Sequence, residues 1–202
     1  RNRGITALHG TGSLRFHPRC YYRPDDHGPT ETWPAMIAAV TDLRGTITGA
    51  HRTWLAPDGS DKAPIDTQRK AIGDLLGHAV RFGNANDVMA AGEGIETILS
   101  ARQALPHMAM AAALSAAHLA AILFPDDLRR LYIVRDNDPA GDGARDSLVE
   151  RANAAGIEVI VLSPVLEDFN EDLRRLGLDA FRANLRVQLT PQDVARFWLQ
   201  AA

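Results

Sequence analysis

Cysteine is almost missing from this chain: Cys20 is the single thiol in 202 residues. That excludes an internal disulfide framework and any multi-cysteine zinc site, and it suits a reducing, cytoplasmic setting. Long apolar runs are missing too. The longest, at 108–124, is broken by Ser115 and His118 and reads as a buried strand plus a helix rather than a membrane span. No secretory signal is visible, and the first residue is Arg1, not methionine, so the chain reads as a fragment of something longer. Charge of one sign is scarce, with a formal net of -3 that does not by itself suggest a nucleic-acid binder. The distribution is more informative. Residues 1–85 hold 11 Lys and Arg against 8 Asp and Glu, whereas residues 86–202 hold 11 against 17. A basic front and an acidic back fit a nucleic-acid surface beside a cation-binding one, and a merely solvated surface fits this small excess about as well.

What is present divides at about residue 86. Before it, an apolar-aromatic patch at 14–22 is followed by two strand-like runs, 33–40 and 46–55, joined across Asp42-Leu43-Arg44-Gly45. Two such runs on either side of a short glycine-containing turn predict a β-hairpin. After it, strands are expected at 87–91, 108–114, 130–135 and 157–162. Helices are expected at 95–105, from Ser115 to 124, and at 144–155, with more helix over 170–186 and a last helix from Thr190-Pro191 onward. Strands alternating with helices predict βαβ units and a parallel sheet.

In an open parallel sheet, ligands gather beyond the carboxyl ends of the strands. Three such ends carry acids here: Glu93 between Gly92 and Gly94, Asp136-Asn137-Asp138, and Asp168-Phe169-Asn170-Glu171-Asp172. Two carboxylates about 4 Å apart repel by about 4 kcal/mol at an effective dielectric near 20, so a proton or a cation must neutralise them. Hard oxygen donors without His or Cys favour magnesium, manganese or calcium over zinc. Alternate residues of an extended segment face the same way, so Asp136 and Asp138 can share an ion. Each feature also has a plain structural reading. Asp-Asn-Asp-Pro alone is more often a turn with a helix-capping aspartate, Glu93 an exposed turn residue, and 168–172 the acidic first turn of a helix. Their joint placement after successive strands favours the site.

At these residues the sequence resembles the Toprim superfamily, whose signature is Glu-Gly after the first strand and Asp-x-Asp after the third: here Glu93-Gly94 and Asp136-Asn137-Asp138. Within it the chain looks most like primases, especially the primase-like proteins of plasmids and phages. Asp136-Asn-Asp-Pro-Ala-Gly141 is close to the Asp-x-Asp-x-Ala-Gly of primases, and 168–172 resembles their third acidic motif. Pro34 to Val40, Asp42, Gly45, Ile47, Gly49 and Arg52 follow the hairpin of the small basic subdomain that precedes Toprim in primases, and Lys62 sits where these carry a lysine-containing loop. The resemblance implies an α/β fold: a Rossmann-like Toprim domain with a parallel sheet at 86–187, preceded by a small mixed α/β, strand-rich basic subdomain at 1–85 and followed by a C-terminal helix at 188–202.

It implies a Mg2+- or Mn2+-dependent nucleotidyltransferase making primers on a single-stranded DNA template from nucleoside triphosphates, with a replicative helicase as a further partner. Glu93, Asp136 and Asp138 would be catalytic, those three with Asp168 would hold metal, and Arg44, Arg52 and Lys62 would contact nucleotide or nucleic-acid phosphates. Arg135 places a positive charge next to the acidic pair, where turning aside toward a carboxylate would leave the metal position open. The alternatives are a Toprim nuclease, with the same acids activating water, and a non-catalytic nucleic-acid-binding module. A topoisomerase is disfavoured, because Tyr21, Tyr22 and Tyr132 are the only tyrosines and Tyr132 reads as buried. His78, His107 and His118 read as packing or surface residues, and Trp33 or Tyr22, if exposed, as base-stacking candidates.

Overall fold

The computed structural model of the protein describes residues 3–6, 8, 12–24, 28–137 and 139–198, without the side chains of 139–141. Two sheets organise it. The first is antiparallel, in the order β1 (Leu14–Tyr22), β2 (Glu31–Thr41), β3 (Ile47–Trp54), β4 (Arg69–Gly73). The expected hairpin is β2–β3. Asp42 shapes its turn by accepting from the backbone N–H of Arg44 and Thr46 at 2.9 and 2.8 Å, and the Thr46 and Arg44 amides hold its carboxyl below the usual aspartate range. The edge strand β4 carries no alternating pattern that would have predicted it.

The second sheet has the order β5 (Val80–Phe82), β7 (Met110–Ala112), β6 (Val88–Gly92), β8 (Arg130–Val134), β9 (Glu158–Leu162). β5 is antiparallel to β7, and the other pairings are parallel. Sheet membership therefore changes before residue 86, with β5 already in the second sheet. β6 is buried along its whole length, as a parallel strand covered on both faces must be. On one face lie α1 (Ile95–Ala104), α4 (Phe169–Arg186) and the first sheet. They share a core that includes Ile98, Phe169, Phe181 and Leu185 with Ala38 and Val40 of β2. On the other lie α2 (Ala116–Ala120) and α3 (Pro139–Ala154), which contribute Leu119, Leu148 and Ala152.

Several boundaries differ from expectation. Helix α3 begins at Pro139 rather than Ala144: proline at a helix start has no N–H to lose. Helix α2 stops at Ala120 rather than near 124, because the chain leaves it to donate from Leu123 N–H to the Gly77 carbonyl at 3.0 Å. Gly177, with φ +79°, interrupts α4. The last segment is a short helix, α5 (Pro191–Asp193), running into a π-turn at Val194–Trp198; positions 199–202 of the expected C-terminal helix lie outside the described residues.

That last segment is fastened through a buried polar group. The Tyr132 hydroxyl donates to Asp193 Oδ2 at 2.6 Å, and Arg130 donates to the same oxygen at 2.8 Å. Burial and the Asp193 carboxylate push the Tyr132 phenol up.

Candidate functional site

The chain leaves β6 through α1 to β7 on one side, then crosses back through α2 to β8 on the other. The crevice beyond β6 and β8 is therefore the topological switch point, the usual ligand position in such sheets. Glu93 follows β6 and Asp136 lies two residues after β8, and both line one small cavity there. A Cβ on Gly92 would stand 2.7 Å from the Val134 carbonyl oxygen, so glycine is what lets the acid-bearing ends sit together. The Glu93 carbonyl accepts from Leu114 N–H at 2.8 Å, and Leu114, just past β7, holds φ +80°, a left-handed conformation unfavourable for leucine.

Asp136 is oriented by a residue the sequence did not flag. Thr97, 6% exposed in the first turn of α1, donates its hydroxyl to both Asp136 carboxylate oxygens at 3.1 and 3.3 Å. A signal existed: Thr97 is four residues after Glu93, within the first turn of α1.

The same cavity is lined by two cations, Arg135 and Arg145. Arg135 is turned toward Asn137, 2.9 Å from its Oδ1, and toward Asp142 at 3.9 Å; Arg145 pairs with Asp142 and Asp146 at 2.6 and 2.9 Å. Asn137 in turn fastens the 163–168 loop. Its N–H donates to the Glu167 carbonyl at 3.0 Å and its side-chain amide to the Leu166 carbonyl at 2.6 Å.

The remaining expected residues distribute as follows. Asp138 lies outside the described residues. Asp168 caps α4, accepting from Glu171 N–H at 2.6 Å, which is the plain structural reading of that motif. Asp172 is buried and accepts from Val165 and Leu166 N–H, both at 2.8 Å, fixing the same loop. Among the described residues no three His, Cys, Asp or Glu side chains gather in a metal-binding group. Glu93 and Asp136 are the expected acids that the structure brings together. Their donor chemistry, two carboxylates and no nitrogen or sulfur, fits a hard divalent ion.

Beside this edge a cleft of about 300 Å³ runs between the two sheets, lined by Gly94, Ile95 and Glu96 from one side and by Arg3, His51, Lys62 and Arg69 from the other. Arg3 crosses it, bonding Glu96 at 2.9 Å and reaching Asp61 at 3.6 Å. Burial, and secondarily the nearby Arg69 charge, lower the affinity of His51 for a proton. Of the three cations expected to act together, Lys62 lines this cleft. Arg44 is exposed in the β2–β3 turn. Arg52 faces away from the cleft: its neighbours His51 and Thr53 line the cleft, and its guanidinium lies 5.2 Å from the Trp54 ring on the opposite face of the sheet. Tyr22 is buried at 3% exposure with its ring edge-on to Trp54, and Trp33 is half-buried, donating to Glu31. The exposed aromatics of this sheet are Phe16 and Tyr21 instead.

The family model of the Toprim domain matches residues 88–179. This part of the chain is a Toprim domain. The switch-point edge with Glu93 and Asp136 lies within the matched residues. Residues 1–82 match the model of a domain of unknown function, DUF7146. No curated protein matches the chain in sequence. In fold the chain is similar to DNA primase catalytic regions. A DNA primase domain from Pseudomonas aeruginosa aligns with TM-score 0.60 and 18% identity over 98% of this chain and 72% of that one. The zinc-binding and RNA polymerase domains of Aquifex aeolicus primase align with TM-score 0.57 and 17% identity over 84% of this chain and 44% of that one. The primase fragment of the bacteriophage T7 primase-helicase protein aligns with TM-score 0.55 and 15% identity over 77% of this chain and 63% of that one. The chain thus spans less than two thirds of the Aquifex and T7 chains. Toprim domain and strand-rich front together give a primase-like α/β architecture. Among the described residues no helix is long and apolar enough to cross a membrane.

Proposed function

We propose that this chain is the catalytic part of a primase-like nucleotidyltransferase that forms phosphodiester bonds on a single-stranded DNA template. The observation that carries this reading is the pairing of Glu93 and Asp136 in one cavity at the switch point of a Toprim sheet, next to a cleft floored by a separate strand-rich sheet. Nucleoside triphosphates are the expected substrates, and a replicative helicase is a further expected partner.

Glu93 and Asp136, together with Asp138 and Asp168, would hold Mg2+ or Mn2+. A divalent ion there supplies charge for the triphosphate and makes a 3′-hydroxyl more acidic. The chain's own groups do the rest. Thr97 restrains the Asp136 carboxylate at the cavity by donating to both of its oxygens. Lys62 offers an ammonium to phosphates entering the cleft. Asn137 ties the segment that carries Asp136 to the loop that carries Asp168.

The test is primer synthesis on single-stranded DNA with nucleoside triphosphates and either ion. Incorporation that Asp136→Ala abolishes supports the reading, and incorporation that survives this change removes the site assignment. One observation favours a second reading, a non-catalytic nucleic-acid-binding module: Arg135 and Arg145 line the same cavity as the acids. Calorimetry without divalent binding would support it. Metal-dependent nicking without incorporation would indicate a nuclease.

A further inference from the structure

The first sheet has two edge strands, and they are not alike. β1 carries Pro18, and its register with β2 slips between His17 and Cys20. A proline without an N–H and a bulged register are common ways of closing an edge to further pairing. β4 has neither. Its five residues run in continuous register with β3, from Arg69 opposite Thr53 to Gly73 opposite Gly49, and among the described residues its other side meets no strand. Arg69, Lys70, Ile72 and Gly73 are exposed, as is Asp74 just past the strand. The small core around Trp54 covers the other end of the outer face. Ile72 stands two register rows away from it, opposite Ala50, and is 63% exposed.

An open edge with an exposed apolar residue is a template for another strand, and the sequence of β4 selects which strand fits. Laid antiparallel to itself about Ile72, the segment 70–74 places Ile72 against Ile72, Ala71 against Gly73 and Lys70 against Asp74. Asp74 continues beside β3, donating its N–H to the Thr48 carbonyl at 3.0 Å, so the segment is extended far enough to offer this pairing. The Asp74 side chain is 73% exposed, with His78 3.5 Å from one of its oxygens. Two copies in this register gain two opposite-charge pairs and one apolar pair. Moving the centre to Lys70 would instead set two ammonium groups face to face. A lysine on an edge ordinarily discourages pairing. Here Asp74, four residues on, makes Lys70 selective: it repels a basic or misplaced strand and attracts this one in one register.

We infer that β4 is a dimerisation edge, to which a second copy of this chain adds its own β4 antiparallel across a two-fold axis, joining two four-stranded sheets into one of eight. That axis stands perpendicular to the sheet, so both copies keep the same face inward. The two clefts, each lined by Arg69 of β4, then open on one side of the joined sheet. Leu76, 64% exposed beyond Asp74, adds apolar contact at each end of the pairing. A strand pair this short covers less than the roughly 1,600 Å² of a standard interface, so the dimer is weak and depends on concentration. The strand of an unrelated protein is less suited, because the spacing of Lys70 and Asp74 is complementary to itself. The inference does not rest on polymerisation, since the edge pairs whether or not the Toprim cavity incorporates nucleotides.

The experiment is sedimentation velocity of the full chain over a concentration series, for wild type, Ile72→Lys, Lys70→Glu and the exchange Lys70→Glu/Asp74→Lys. Wild type should pass from monomer to dimer as concentration rises. Ile72→Lys places two ammonium groups on the two-fold axis and should leave monomer alone. Lys70→Glu turns two attractive pairs into repulsive ones and should raise the dissociation constant about 10-fold or more. The exchange rebuilds both pairs with their signs reversed and should return the constant to within about 3-fold of wild type. All these positions are exposed, so each variant should keep the wild-type circular-dichroism spectrum. A wild type that stays monomeric up to about 0.5 mM, a dimer that persists in Ile72→Lys, or an exchange that dimerises no better than Lys70→Glu would overturn the assignment. Primer synthesis is read separately: its absence alongside an intact dimer would count against the polymerase reading and leave the edge standing.

Discussion

In the five-stranded sheet, β6 is buried throughout and β8 nearly so, and the acids Glu93 and Asp136 lie beyond the strand ends, while inside β8 Arg130 and Tyr132 are paired with Asp193. In the four-stranded sheet, cations sit along the strands themselves, as Arg52 and Lys70 do. The difference follows from coverage. A parallel sheet with helices on both faces has little wet surface except its edges, so polar groups gather where strands end or, like Tyr132, are paired inside. An antiparallel sheet with one face packed and one free can display charge at every second residue. One chain thus gathers acids at a strand-end cavity and spreads cations along strands, following the rule that buried charges must be paired.

That contrast can be broken from several sides. The largest expected effect is at the strand-end cavity. Asp136→Ala should reduce nucleotide incorporation by more than the roughly 10–100-fold that loss of an outer partner costs at a metal site. It should leave the salt slope of DNA binding unchanged. Next comes Thr97→Val, which removes the hydroxyl from Asp136 at nearly constant volume. It should weaken divalent binding by about 10-fold in calorimetry, while Thr97→Ser restores most of it. Loss of DNA affinity in either variant would show that cavity and strand cations are not separable.

A smaller effect tests the fastening of the C-terminal segment to β8. Tyr132→Phe removes the hydroxyl that donates to Asp193 and should cost about 1–2 kcal/mol in urea unfolding. Nucleotide incorporation should change little.

The smallest is a pH effect on the cleft face. His51 is held below the ordinary histidine value by burial first and Arg69 second. Its neutral form belongs to the fold, so its contribution to stability is complete above pH about 6.5 and is lost as pH falls toward the depressed value. His51→Gln should flatten that part of the stability profile. An unchanged profile would mean that burial of this face does not control His51.

Legibility in the sequence divided along the same line. The Toprim half was readable because its signals are local: apolar runs of strand length, glycines beside Glu93, and acids spaced as Glu93 and Asp136 are. The first sheet was readable only in its central hairpin. β4, Arg69-Lys-Ala-Ile-Gly73, has no alternating pattern and exists because β3 offers it an edge. The capping reading of Asp-Asn-Asp-Pro already pointed to a helix starting at Pro139, but the glycines at 141 and 143 led to a later start at Ala144. The motif at 168–172 carried two meanings in sequence. The capping bond of Asp168 and the loop-fixing bonds of Asp172 are what the fold adds.

The sequence by itself determined that acids follow three of the four parallel strands, because strand and helix periods are local properties of neighbouring residues. Tertiary structure decided which side chains meet. It set Thr97 against Asp136 across 39 positions, turned Arg135 toward Asn137 and Asp142, and put Arg52 on the face opposite Lys62. Such meetings depend on strand order and register, which are fixed by burial across the whole sheet rather than by any short stretch of chain.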